Sequence, residues 1–152
     1  MQDNKDMKKK RRLMLVGRSE AGKTTLTQAL RNRPIEYEKT QYVSMDDLLI
    51  DTPGEYIQTK NLGTALAIYS YEADVIGLLL DATEPYSLYS PNITCMTTKE
   101  VIGIITKIDH KKANVQNAEK WLKLAGCKKI FKVNSPANQG IDEIKRYLGW
   151  IS

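Results

Sequence analysis

Gly17-Arg18-Ser19-Glu20-Ala21-Gly22-Lys23-Thr24 follows the apolar run Leu13-Met14-Leu15-Val16 and opens onto KTTLTQALR at residues 23 to 31. The eight residues match G-x-x-x-x-G-K-[ST], a loop that wraps an anion between a buried strand and a helix. Glycines let such a loop turn tightly with its N–H groups aimed inward. The start of the following helix adds partial positive charge. Lys23 is placed to neutralise β- and γ-phosphate oxygens, and the Thr24 hydroxyl to ligate Mg²⁺, a hard cation that prefers oxygen. Residues 17 to 25, Thr25 included, are the expected phosphate contacts. Glu20 is expected to turn its carboxylate to solvent.

Outward from this loop the chain alternates strands with helices. Leu26 and Leu30 give residues 23 to 31 one apolar face, and Pro34 closes the region. Leu48-Leu49-Ile50 reads as a second buried strand, stopped by Asp51-Thr52-Pro53-Gly54. A helix is predicted over 59 to 71 from Leu62, Leu66 and Tyr69, then strands over Val75 to Leu80, Val101 to Thr106 and Ile130 to Val133. Residues 82 to 97 read as loop. A helix over 114 to 125 shows Val115, Ala118, Trp121, Leu122 and Ala125 on one face, with Gly126 as its cap. A last helix runs from Ile141 to Leu148. Such alternation predicts an α/β three-layer P-loop NTPase of the Ras-like type, a mostly parallel sheet with helices on both faces. Ligands of such sheets bind beyond the C-terminal ends of the strands, where every motif found here falls.

With 152 residues, the chain fits one domain over 11 to 152, after a basic, disordered tail over 1 to 10. Hydrophobic residues make up 41% and charged residues 27%, ordinary for a globular protein. No apolar run reaches the roughly 18 residues of a membrane span, and the N-terminus lacks a secretory pattern, so the expected location is cytoplasmic. The net charge is +5, with five basic residues running from Lys8 to Arg12. No aromatic residue interleaves with them, so they read as a solvated lead into the first strand and no nucleic acid is expected as partner. Cys95 and Cys127, with a lone His110, exclude a disulfide scaffold and a structural zinc site; both thiols are expected as small buried hydrophobes.

Asp51 ends a strand and precedes Thr52-Pro53-Gly54. Its carboxylate is the expected Mg²⁺ partner through water, and Gly54 the expected N–H donor to a γ-phosphate. Thr40, the one threonine between Pro34 and Ser44, is the expected second metal hydroxyl. Asp81 ends a strand too but lacks the Pro-Gly sequel, and reads as structural. Thr106-Lys107-Ile108-Asp109 resembles the N/T-K-x-D motif of guanine-nucleotide proteins. There the aspartate accepts two N–H bonds that adenine does not supply, and the lysine stem lies along the base plane. Ser135 follows the fifth strand where such proteins read S-A. The next residue ordinarily gives its N–H to guanine O6, but Pro136 has none, at a cost of about 1–3 kcal/mol in guanine preference.

GRSEAGKTTLTQAL, YEKTQ at 37 to 41, DTPGEY and VIGIITKID together resemble the ethanolamine- and propanediol-utilisation family of EutP and PduV over about residues 12 to 149. The resemblance implies a Ras-like fold and a link to bacterial microcompartment operons. It also implies phosphate roles for Gly22, Lys23 and Thr24, metal roles for Thr40 and Asp51, and base roles for Lys107 and Asp109. The expected activity is GTP binding with slow Mg²⁺-dependent hydrolysis, GTP or GDP being the ligand and ATP an option. Lys23, Gly54 and Glu55 are its catalytic candidates. Glu55 stands where glutamine normally orients water, and a carboxylate beside a polyanion serves poorly there. A low intrinsic rate, raised by a partner or a homodimer, follows. Two rival readings stay open. One is an ATP-dependent phosphotransferase acting on a small acceptor such as acetate; the other is a non-catalytic switch or scaffold at a microcompartment shell or on a pathway protein.

Overall fold

The computed structural model describes residues 10–17, 22–31, 48–51, 62–87 and 89–151, and the backbone alone for Asp51, Thr64, Ala65 and Tyr69. Five strands, β1 (Leu13–Val16), β2 (Leu49–Asp51), β3 (Val75–Asp81), β4 (Glu100–Thr106) and β5 (Lys129–Lys132), form one sheet in the order β2-β1-β3-β4-β5. Every pairing among them is parallel. Among the described residues, α1 (Lys23–Arg31) lies between β1 and β2, α2 (Leu62–Tyr69) between β2 and β3, and α3 (Val115–Ala125) between β4 and β5, while α4 (Ile141–Tyr147) follows β5. Short 3₁₀ turns lie at Ser70–Glu72, Ile93–Met96 and Ser135–Ala137.

The period-two geometry of β1 explains the layering. Leu13 and Leu15 face a core shared with Leu26, Ala29 and Leu30 of α1 and with Ile141, Ile144, Leu148 and Trp150 around α4. Met14 and Val16 face the opposite core, with Leu62 and Leu66 of α2 and Ala118, Leu122 and Ala125 of α3. The sheet is thus covered on both faces, as the uninterrupted apolar strands predict. Gly103 of β4 lets α3 approach closely, since a Cβ there would sit 2.8 Å from Leu122 Cδ1. Leu122 is fully buried, and burying such a side chain contributes about 1.5–3 kcal/mol.

The helix ends follow their local chemistry. Asn114 Oδ1 accepts the Asn117 N–H at 3.1 Å and starts α3. Gly126, at φ 114°, ends it, and the Cys127 N–H turns back to Leu122 O at 3.0 Å. The predicted helix over 59 to 71 is α2 followed by a tighter turn, and the segment 82 to 97 carries a 3₁₀ turn within its irregular path. Of the tail expected over residues 1 to 10, residues 1 to 9 lie outside the described residues. Arg11 is no solvated lead: its guanidinium meets Glu100 Oε1 at 2.7 Å and stacks 4.8 Å from the Tyr147 ring centroid.

One expectation is overturned. Cys127 is buried, but Cys95 is exposed. Cys95 sits in the turn Ile93–Met96, a single surface layer in which Thr94 meets Gly126 and Met96 meets Gly63. Those neighbours occupy its inner side, and residue 95 faces water. Burial pushes the Cys127 thiol up to about 12. Alkylation of the native protein with iodoacetamide at pH 8 is therefore expected to label Cys95 and spare Cys127 until the chain is unfolded, as read by peptide mass spectrometry.

Candidate functional site

Because all five strands point the same way, their C-terminal ends share one edge of the sheet. Along that edge, in sheet order, lie Asp51 at the end of β2, Gly17 after β1, Asp81 at the end of β3, Thr106 at the end of β4, and Ser135 beyond β5. The phosphate motif and Asp51 occupy one half of the edge; Lys107, Asp109 and Ser135 occupy the other.

α1 starts at the phosphate loop. The Leu26 N–H donates to Gly22 O at 2.8 Å, so the helix begins where the sequence pattern places it. Gly22 has φ 89°, a conformation that glycine adopts freely and other residues adopt at a cost. The Lys23 side chain is buried, whereas Thr24 and Thr25 are exposed at the head of the helix. Arg18, Ser19, Glu20, Ala21, Thr40, Gly54 and Glu55 lie outside the described residues, as does the side chain of Asp51.

The two halves touch. A Cβ on Gly22 would lie 3.6 Å from Thr106 Cβ, and α1 packs against the turn Ser135–Ala137. The Ala82 N–H extends the β3–β4 ladder to Thr106 O at 3.0 Å. Past Thr106 the backbone breaks sharply: Lys107 has φ 59°, and the His110 N–H closes a turn onto Lys107 O at 3.1 Å. A lysine in the left-handed region costs about 1–2 kcal/mol, strain of a kind that collects at working sites. Asp109 and His110 are both exposed in this turn. Lys107 Nζ sits 2.8 Å from Asp81 Oδ2, and Asp81 is itself buried. Burial pushes the Asp81 carboxyl up, but hydrogen bonds from Lys107 and Thr83 and the nearby ammonium charge outweigh it and hold the group below its ordinary value.

Ser135 is buried, and its Oγ has no hydrogen-bond partner among the described residues; Thr27 Oγ1 on α1 shares that condition. A buried hydroxyl without a partner is costly. At Ser135 it stands beside the half of the edge that carries Lys107 and Asp109, which fits a polar ligand there. On the other half, a helix head with an exposed threonine hydroxyl, an adjacent glycine and a lysine is the donor set that suits a polyphosphate and a hard cation. The Ser135–Ala137 turn offers few N–H groups: Pro136 has none, the Ala137 N–H donates to Asn134 O at 3.2 Å, and the Asn138 N–H to Ser135 O at 3.0 Å.

Sequence reasoning missed Tyr89. Its ring is buried in the α2–α3 core, and its hydroxyl reaches Leu79 O at 2.6 Å and Val16 O at 3.1 Å. Val16 immediately precedes Gly17, so the phenol braces the root of the phosphate loop. Burial pushes the pKa of its phenol well above the ordinary tyrosine range. Its place in a proline-containing loop, which also holds Tyr86, gave little signal.

The family model for ethanolamine utilisation–propanediol utilisation proteins matches residues 10–150. The chain belongs to that family. Among its relatives, the propanediol utilisation protein PduV of Citrobacter freundii is 40% identical over 139 residues, covering 91% of this chain and 93% of that protein. A protein of Escherichia coli K12 named "Probable acetate kinase EutP" is 32% identical over 141 residues, covering 91% of this chain and 89% of that one. Among solved structures, the FeoB G-domain of Methanococcus jannaschii superposes with a TM-score of 0.59 at 22% identity, over 91% of this chain and 95% of that one. Elongation factor SelB of Methanococcus maripaludis, solved with the GTP analogue GppNHp, gives 0.63 at 21% identity over 92% of this chain, which spans 33% of that longer protein. These likenesses establish a PduV–EutP chain with a G-domain fold.

In this family member the Gly22 backbone carries both the α1 start and the contact with Thr106. Gly22→Ala is expected to destabilise the protein by about 1 kcal/mol or more, measured as a lowered urea midpoint at unchanged slope.

Proposed function

We propose that this PduV–EutP protein binds a guanine nucleotide with Mg²⁺ and hydrolyses GTP slowly, in the service of ethanolamine or propanediol utilisation. The observation that supports the reading is the closeness of Gly22 to Thr106, where a Cβ on the glycine would lie 3.6 Å from the threonine side chain, next to the head of α1 and the T-K-x-D turn. Phosphate groups bind at the head of α1, against the backbone N–H groups of residues 17 to 24 and the ammonium of Lys23. Thr24 and Asp51 would hold Mg²⁺, with Thr40 as a further hydroxyl. When bound, the cation neutralises charge on the phosphate oxygens. Asp109 accepts the two guanine N–H bonds, and Ser135 supplies a buried hydroxyl next to it. Gly54 donates its N–H toward the γ-phosphate. Glu55, in the water-orienting position, adds negative charge where charge already accumulates, so the chain alone turns over slowly and a partner or second copy accelerates it. Association with a microcompartment belongs to the same proposal.

One observation favours a second reading. With Pro136 lacking an N–H and the next two N–H groups turned to Asn134 and Ser135, the guanine O6 has no backbone donor from this turn. Discrimination against adenine then rests on Asp109. An ATP-dependent transfer to a small carboxylate such as acetate, the activity in the name of the Escherichia coli relative, uses the same Lys23, Thr24 and Asp51.

Calorimetric titration of the pure protein with GTP, GDP and ATP in Mg²⁺ separates the two. The first reading expects guanine nucleotides to bind more tightly, and Asp109→Asn to weaken GTP by about tenfold or more while leaving ATP unchanged. Equal affinities, with label passing from the ATP γ-phosphate to acetate, favour the second. Pro136→Ala is expected to tighten GDP by up to about tenfold if the restored N–H reaches O6, read in the same titration.

A further inference from the structure

Asp81 lies in none of the motifs that define the site, yet it is the buried acid nearest their meeting point. Its side chain is 4% exposed at the C-terminal end of β3, in register with Thr106 of β4. Both carboxylate oxygens are committed. Oδ1 accepts the Thr83 N–H at 2.8 Å and the Thr83 O–H at 2.6 Å, which locks the carboxylate plane. Oδ2 faces Lys107 Nζ at 2.8 Å. That arrangement leaves Asp81 poorly suited to a metal and well suited to a lysine.

The lysine is presented to it in an unusual way. Lys107 holds φ 59°, and its N-terminal neighbour Thr106 is paired with Asp81 across the sheet. For the ammonium to reach β3, the four-carbon stem has to run from the end of β4 across the top of the sheet toward the strand beside β1, which feeds the phosphate loop. The Lys107 side chain as a whole is 43% exposed even though its partner is buried, so the side chain lies over the edge with one side open to solvent. A flat, open hydrocarbon stem between the phosphate half and Asp109 is a surface on which an aromatic ring can lie. The Ala82 carbonyl, accepting the Asn114 N–H at 2.7 Å, ties the segment after Asp81 to the start of α3 and keeps Thr83 in place.

We propose that Asp81, oriented by Thr83, is a positioning residue that holds the Lys107 stem across the ends of β3 and β4 as the platform for the purine ring. This rests on the guanine-nucleotide reading. Asp81 touches no ligand; it acts through Lys107. Without its carboxylate the ammonium has no fixed anchor on β3, and a long flexible side chain regains rotamers that binding must then remove. The loss falls on the base end of the nucleotide rather than on its phosphates.

The test compares GDP with inorganic pyrophosphate, titrated into full-length protein in the same Mg²⁺ buffer, for wild type, Asp81→Asn, Lys107→Ala, the double variant and Thr83→Val, with thermal melts to confirm folding. The affinity ratio of GDP to pyrophosphate is expected to fall about tenfold in Asp81→Asn and about threefold in Thr83→Val. Adding Asp81→Asn to Lys107→Ala is expected to lower it no further, since a positioning residue has nothing left to position. If Asp81→Asn does not fold, Thr83→Val carries the comparison, and an unchanged ratio there overturns the proposal. A wild-type protein that prefers GDP, with a ratio unmoved by Asp81→Asn or lowered equally in the Lys107→Ala background, overturns the proposal alone. A wild-type ratio near one overturns the guanine reading and the proposal with it.

Discussion

The contact between Gly22 and Thr106 joins two pieces of chain that sequence keeps far apart. Gly22 is the second glycine of the phosphate motif and immediately precedes α1; Thr106 ends β4 and starts the T-K-x-D turn. A Cβ on Gly22 would stand in van der Waals contact with the threonine side chain, and the φ of 89° admits glycine with least strain. The head of α1 is thereby held beside the strand end that leads into the turn of Lys107 and Asp109.

Parallel pairing makes that junction possible. Each crossover returns the chain to the opposite end of the sheet, so β1, β3 and β4 deliver their loops to one edge while their apolar residues fill two separate cores. The edge is braced from within by side chains outside the motifs. The Tyr89 hydroxyl bonds carbonyls on β1 and β3 directly beneath the phosphate loop. Asp81 does the corresponding work under the base half through Lys107 and Thr83. The opposite end of the sheet has its own fastening. Arg11 bonds Glu100, Tyr147 donates its hydroxyl to the same carboxylate, and the Trp150 N–H reaches Arg11 O at 2.7 Å. That set closes the C-terminal residues over the start of β1, far from the strand ends that carry the motifs.

The elements themselves were legible because their signals are local. Apolar runs such as Leu13 to Val16 leave no polar face and so mark buried parallel strands, and α1, α3 and α4 show their inner faces at helical spacing. The start of α3 moved by one residue, to Val115, because Asn114 caps it, whereas its end at Ala125 and its Gly126 cap are as expected. Cys95 was misjudged for a different reason. Residue type predicts burial only on average, and the exposure of one side chain in a surface turn depends on what lies under that turn. Tyr89 and Asp81 were undervalued because their partners are backbone carbonyls and a lysine on other strands, and no spacing rule links positions 16, 79 and 89 or 81 and 107.

By itself, the order of residues determined the layered α/β architecture and the family, because each depends on contacts within a few residues or on a pattern repeated along one element. Tertiary structure alone decided that the phosphate and base halves abut through Gly22 and Thr106, that Lys107 is anchored on a buried Asp81, and that the N–H groups after Pro136 are already taken. Those are relations between strand ends brought together by the sheet, and distance along a chain carries no information about distance across it.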